Sequence, residues 1–265
     1  MDLGLKGKRA LVTASSKGLG FATARELVRE GARVMINSHD QENLDAAIGR
    51  LREEFGDRTQ INALAANLSE ETGVSALVEG AAETLGGLDI VVTNNAGPPA
   101  GTFATTSVDA WRDGLELTLM SVVNLLQAAL PQLERSDAAS VLTVTSVSVK
   151  QPVPGLHLSN VIRPAVAGLT KALAQEFGPS GVRANSILPG WTATERVQYI
   201  LAQRAEANGT TAEDEAAAIT AGIPLGRMAD PAEFGRVAAF LVSPAASYLN
   251  GVMLQVDGGA YGGLL

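Results

Sequence analysis

Apolar residues along the chain fall into two alternating rhythms. Short, nearly continuous apolar runs occur at 9–15 ("RALVTAS"), 33–38 ("RVMINS"), 61–66, 88–94, 140–146, 183–189 and 252–257. Between them lie longer runs whose apolar positions recur every three or four residues, at 20–32, 41–55, 70–86 and near 108–134. The first rhythm predicts strands and the second amphipathic helices. Strands without alternating polar positions are buried on both faces, as in a parallel sheet. Strand–helix alternation implies right-handed crossovers and hence an α/β, doubly wound parallel sheet. One segment breaks the pattern: 195–222, "ERVQYILAQRAEANGTTAEDEAAAITAG", is polar and helical in character. It reads as a small helical lid inserted in a single domain spanning 1–265, with a plain surface excursion as the alternative. No repeat, low-complexity block or linker interrupts the rest.

Composition narrows the classes. A chain of 265 residues with 46% apolar and 18% charged residues can bury a sizeable core. A net charge of −8 lacks the basic face of a nucleic-acid binder and gives no support to a polybasic membrane anchor. The chain has no cysteine, which removes disulfides, thiolate catalysis and cysteine-bound zinc. No long apolar run precedes the first strand, and none approaches the length of a membrane span. A cytoplasmic protein with a small-molecule substrate, and neither nucleic acid nor membrane as partner, is expected.

The turn "TASSKGLG" (13–20) joins the first strand to the first helix. Gly18 and Gly20 would let backbone approach a pyrophosphate, and the helix start would offer it unpaired N–H groups and a positive dipole end. The second strand ends "INSHD", with Asn37, Ser38 and His39 where an NAD site usually places a carboxylate, and Asp40 one step late. With Lys17 in the turn, this favours a 2′-phosphate and hence NADP(H), with NAD the alternative.

At this point the chain resembles the short-chain dehydrogenase/reductase family over nearly its whole length. "TASSKGLG" is similar to the family's T-G-x-x-x-G-x-G, with Ala14 replacing the first glycine. "NNAG" (94–97), "RANSILPGWTAT" (183–194) and 224–259 match its later motifs in order. The resemblance implies a Rossmann fold. It implies that Thr13, Ser15, Lys17, Gly18, Leu19 and Gly20 line the pyrophosphate and adenosine, and that Ser38 and His39 flank the 2′ position. Asn67 and Leu68 would lie by the adenine, Asn95, Ala96 and Gly97 by the ribose, and Pro189, Gly190, Thr192 and Thr194 at the nicotinamide end. It also implies a homotetramer or homodimer, with 108–134 and 157–178 as pairing helices.

The family's catalytic set is Asn, Ser, Tyr and Lys. Aligning "VLTVTSVS" puts its serine at Ser146, and counting back from 165–190 puts its tyrosine slot at Ser159 and its lysine slot at Arg163. The asparagine slot falls on Thr118. Serine is a far poorer acid than a phenol, and arginine stays protonated, so the proton relay must differ. Lys150 and His157 are candidates for a replacement acid, each with an ordinary alternative as a loop lysine or a packing residue. Pro164 should delay or kink the helix through 160–164, with Ser159 or Asn160 supporting the freed backbone. The stretch resembles a variant within the family that is 3-oxoacyl-carrier-protein-reductase-like. The expected function is an NADP(H)-dependent oxidoreductase on a carbonyl or secondary alcohol, with Ser146, Ser159, Arg163 and Lys150 as its catalytic candidates. The competing expectations are a cofactor-binding protein without turnover and a non-redox enzyme like the halohydrin dehalogenases. Trp191 and 195–222 are expected to shape the substrate pocket.

Overall fold

The computed structural model describes residues 1–57 and 59–264. Its strands are β1 (Arg9–Val12), β2 (Arg33–Ser38), β3 (Ile61–Ala65), β4 (Ile90–Thr93), β5 (Ser140–Val144), β6 (Arg183–Pro189) and β7 (Met253–Val256). They form one parallel sheet in the order β3-β2-β1-β4-β5-β6-β7. The helices are α1 (Gly18–Arg29), α2 (Gln41–Phe55), α3 (Glu71–Leu85), α4 (Val108–Leu115), α5 (Ser121–Leu133), α6 (His157–Glu176), α7 (Glu195–Asn208), α8 (Ala212–Ala221) and α9 (Pro231–Val242).

Successive side chains of each inner strand serve opposite layers, because strand side chains alternate in direction. Val12, Ile36, Val92 and Leu142 pack with Leu27 of α1, Leu44 of α2 and Phe234 of α9. Leu11, Met35, Val91 and Val141 pack on the other face with Leu77 of α3, Leu125 of α5 and Val166 of α6. That is why the inner strand segments carry apolar residues on both faces. The chain winds outward from β1 to β3, then returns to place β4 on the other side of β1. The loops after β1 and β4 therefore diverge, and a crevice opens at the carboxyl ends of the strands.

Several boundaries differ from expectation. β1 ends at Val12 because Ala14 takes a left-handed conformation, φ 43°. The long helix near 108–134 is α4 and α5 joined by a π-turn, Glu116–Met120. By composition this stretch is apolar and long enough to cross a membrane, yet Val122, Leu125, Leu126, Ala129 and Leu133 are packed in the core. α6 neither starts late nor breaks near Pro164: it runs from His157 to Glu176. Asn160 clamps Val153 through both backbone groups at 2.9 Å, and the Ser159 hydroxyl lies 3.2 Å from that of Ser148, so neither side chain supports the freed carbonyl. Residues 195–222 form α7 and α8, tied by Asn208 and Thr210 donating to Glu215 at 2.9 and 2.7 Å.

Candidate functional site

A cavity of about 510 Å³ fills the crevice. At one end lies the β1–α1 turn. Ala14 is held in its left-handed conformation by Asn94 Nδ2, which donates to its carbonyl at 2.9 Å, and by its own N–H donating to Asn37 Oδ1 at 3.3 Å. A Cβ on Gly20 would strike the Ala14 carbonyl and lie 2.7 Å from Asn94 Nδ2, so only glycine lets α1 start this close under the turn. Lys17 occupies the N-cap without a side-chain cap bond. Nothing in the helix's own capping therefore competes with an anion for its first N–H groups.

The structure divides the residues expected here into two sets. Lys17, Gly18 and Leu19 line the cavity, as does Ser16, which the sequence reading passed over. Thr13, Ser15 and Gly20 do not line it. Thr13 Oγ1 donates to the Asn94 carbonyl at 2.7 Å, and Ser15 Oγ donates to the Val12 carbonyl at 2.6 Å while accepting the Asn37 N–H at 3.0 Å. They shape the turn from behind. Ser38, His39, Asn67 and Leu68 all line the cavity beyond it. Asp40 caps α2 instead, accepting the Asn43 N–H at 3.1 Å. The nearest acid to the β2 tip is thus engaged in a helix start.

At the other end, Asn95, Ala96, Gly97, Pro189, Gly190, Thr192 and Thr194 line the cavity together. Asn95 Oδ1 and Thr192 Oγ1 are buried there without a protein partner. Buried polar atoms normally find one, so both are suited to hold a ligand. Asn95 Nδ2 donates to the carbonyls of Leu117 and Thr118 at 3.1 and 3.3 Å, which the π-turn releases from the helix ladder. Thr118 lies in this turn with its own hydroxyl buried and unpartnered.

Ser146, Ser159 and Arg163 line the same cavity. Ser146 caps a 3₁₀ turn, Val147–Val149, its oxygen accepting the Ser148 N–H at 3.1 Å. Arg163 Nη1 donates to the Val144 carbonyl at 3.0 Å. Burial, reinforced by the charge of Arg196, pushes the Arg163 guanidinium down to about 10. Two candidates fall outside. Lys150 is not in the cavity wall: its ammonium sits over the Tyr261 ring, 5.5 Å from the centroid. His157 packs among aromatic rings, 5.9 Å from Phe103 and 6.3 Å from Trp111. Trp191 also stays out of the wall, under Arg204 of α7 at 5.2 Å, whereas Glu195, Arg196, Val197 and Ile200 of α7 enter it. No tyrosine lines the cavity among the described residues.

Arg196 was not singled out in the sequence. The signal was present in retrospect: a cation in the first turn of α7 opposes the helix dipole, which favours acids there. Together Lys17, Arg163 and Arg196 outnumber Glu195, so a chain with net charge −8 presents a positive cavity. Such a cavity suits an elongated anion, with phosphate at the uncapped helix start and a polar ring against Asn95 and Thr192.

Comparison with known proteins agrees with this geometry. A family model described as enoyl-(acyl carrier protein) reductase matches residues 13–261. Dehydrogenase/reductase SDR family member 4 of Homo sapiens is 31% identical, over 96% of this chain and 88% of its own length. The crystal structure of L-sorbose reductase from Gluconobacter frateurii, complexed with NADPH and L-sorbose, superposes with a TM-score of 0.93 at 29% identity, covering 100% of both chains. An NADPH-bound short chain oxidoreductase from Pseudomonas aeruginosa PAO1, described as containing an atypical catalytic center, gives 0.88 at 33% identity over 97% of this chain and 98% of that one. With the strand order, the glycine turn and the family model all in register across the chain, this protein belongs to the short-chain dehydrogenase/reductase family.

Proposed function

We propose that the protein is an NADP(H)-dependent oxidoreductase acting on a carbonyl or secondary alcohol, with serine hydroxyls and a guanidinium in place of the family's phenol and ammonium. The observation that carries this reading is the convergence of Ser146, Ser159 and Arg163 on one cavity with the buried, unpartnered Asn95 Oδ1 and Thr192 Oγ1. The cofactor is NADP(H). Its phosphates fit Lys17 and the open start of α1, no acid guards the 2′ position, and the similar L-sorbose reductase and Pseudomonas oxidoreductase hold NADPH. Thr192 and Asn95 would hold the nicotinamide end. When bound, the cofactor supplies the hydride.

The protein's own groups then act on the carbonyl. Ser146 accepts the Ser148 N–H, which leaves its proton to donate to the substrate oxygen. Arg163 stabilises the negative charge developing on that oxygen. Ser159, which lines the cavity, delivers the proton and takes one back from solvent water there, with the Ser148 hydroxyl 3.2 Å away positioning its oxygen. Lys150 plays no part, held as it is over Tyr261. Replacing a positioned general acid by a weak one costs on the order of 10²–10⁴ in rate, so turnover is slow unless the substrate helps. We further read α7 and α8 as a lid on a single domain, and the apolar groove between α5 and α6 (Leu126, Leu130, Leu169, Leu173) as the seam of a homodimer or homotetramer.

A second reading is cofactor binding without turnover, favoured by the lack of a tyrosine in the described cavity wall. Titration with NADPH and NADH, followed by a carbonyl panel read at the nicotinamide absorbance, separates the two. Tight NADPH binding with NADPH consumption supports the first. Tight binding with no consumption across the panel leaves the second.

A further inference from the structure

Two guanidinium groups converge on one point of the cavity, and although Glu195 also lines that cavity, it pairs with neither of them. A Cβ placed on Gly97 would lie 3.6 Å from Arg163 Nη2 and 3.7 Å from Arg196 Nη2, so both face the same space beside the "NNAG" segment. Each is steadied by a backbone carbonyl: Arg163 Nη1 by Val144 at 3.0 Å, and Arg196 Nη2 by Pro98 at 2.8 Å. A carbonyl orients a guanidinium without cancelling its charge. Arg9, Arg25, Arg29, Arg112 and Arg227 each meet a carboxylate, whereas Arg183, also half-buried, is held by four backbone carbonyls but stands alone rather than beside a second guanidinium. Among the described residues neither Arg163 nor Arg196 meets a carboxylate. Burial and mutual repulsion act against the charge of Arg163, and burial against that of Arg196. Arg196 also lies over the Tyr199 ring at 5.6 Å, but a ring face does not offset a neighbouring guanidinium as an anion placed between the two would.

That anion has two sources in a dinucleotide-dependent enzyme: a cofactor phosphate or the substrate. The phosphates already have Lys17 and the uncapped start of α1. The paired arginines lie instead beside the serines, since Val144, which Arg163 holds, is two residues before Ser146. We propose that Arg163 and Arg196 clamp a carboxylate of the substrate, and that the preferred substrates are 2- or 3-oxo acids, or the corresponding hydroxy acids. This rests on the oxidoreductase reading for the reaction but not for the binding. Arg163 would bridge the carboxylate and the adjacent carbonyl oxygen near Ser146, with Arg196 on the outer carboxylate oxygen. A carboxylate held this close orients the carbonyl and partly replaces what the missing phenol contributed to positioning.

The test uses the protein saturated with NADP⁺, with ligand binding read as a thermal shift. The probes are 2-oxobutyrate and acetoacetate, each against its methyl ester. The acids should bind about tenfold or more tightly than the esters, as loss of a charge-assisted contact implies. Arg196→Gln should abolish that preference while leaving NADP⁺ affinity within about threefold, and Arg196→Lys should restore part of it. Equal binding of acids and esters, or binding of neither, overturns the clamp. A loss of NADP⁺ affinity of about tenfold or more in Arg196→Gln assigns the pair to a cofactor phosphate and overturns it too. Preferential binding of the acids without NADPH consumption supports the clamp and contradicts the redox reading. Consumption with neutral ketones alone does the reverse.

Discussion

Thr192 buries a hydroxyl that meets no protein partner, and that single atom separates ligand binding from folding. Thr192→Val removes an unsatisfied polar group, so the melting temperature without cofactor should hold or rise, while NADPH affinity falls by about three- to tenfold, the worth of one hydrogen bond. Calorimetry and thermal melts check both halves. Arg163 yields a pH prediction. Its guanidinium is pushed down to about 10, so the charged form persists below that pH and is lost above it. The pH profile of kcat/KM should therefore lack a falling limb until pH approaches about 10, and Arg163→Ala should lower kcat/KM by roughly 10²–10³, the loss of one oxyanion donor. The placement of several residues is legible from the motifs, which fix backbone positions: Asn95, Gly97, Pro189 and Thr192 all lie in the cavity wall. Thr13 and Ser15 turn their hydroxyls into the turn and Gly20 lies beneath it, which is not legible because sequence spacing does not reveal which side of a turn a residue faces. Arg196 was missed because its role arises only when α7 meets the loop at Pro98.

Elements depend on junctions, and two of them are testable. Asp89, just before β4, accepts Arg9 N–H, Nε and Nη2 at 2.8, 2.9 and 2.6 Å and the Ser136 hydroxyl at 2.6 Å. Burial pushes its carboxyl up, but these bonds outweigh burial and hold it at about 2. The carboxyl is depressed in the folded state, so its contribution is complete above its unfolded value near 4 and lost as pH falls towards 2. It amounts to roughly 2 kcal/mol at neutral pH. Urea midpoints measured down the pH scale should drop across that window, and Asp89→Asn should flatten the drop. The second junction is the π-turn. Asn95→Leu removes the side-chain donor from the Thr118 carbonyl, while the Leu117 carbonyl keeps the Ser121 hydroxyl at 2.6 Å, and should cost about 1–3 kcal/mol in urea unfolding. Strands and helices were legible from periodicity, with β2, α2 and β6 matching their expected bounds. The π-turn was not, since it is imposed by a side chain from the loop after β4. Nor was the unbroken course of α6, where Asn160 anchors the loop at Val153.

Across the whole molecule, charge and topology combine in a way the totals conceal. A protein of net charge −8 concentrates Lys17, Arg163 and Arg196 in the crevice where the strand order reverses. The net charge, read from the sequence, excluded nucleic acid as an expected partner but said nothing of this local field, which exists only once β1, α6 and α7 are assembled. NADPH affinity should fall with added salt, as expected for an anion drawn to a positive cleft. Native mass spectrometry should give two or four copies, and Leu130→Glu with Leu173→Glu in the α5–α6 groove should give monomers. The central claim is that this cavity binds NADP(H) and moves a hydride without a tyrosine acid. Its most direct measurement is NADPH consumption by the purified protein over a panel of oxo acids and ketones, with Arg163→Ala and Tyr261→Phe run beside it. The account predicts consumption that survives Tyr261→Phe and collapses in Arg163→Ala. Consumption lost in Tyr261→Phe but retained in Arg163→Ala would contradict it.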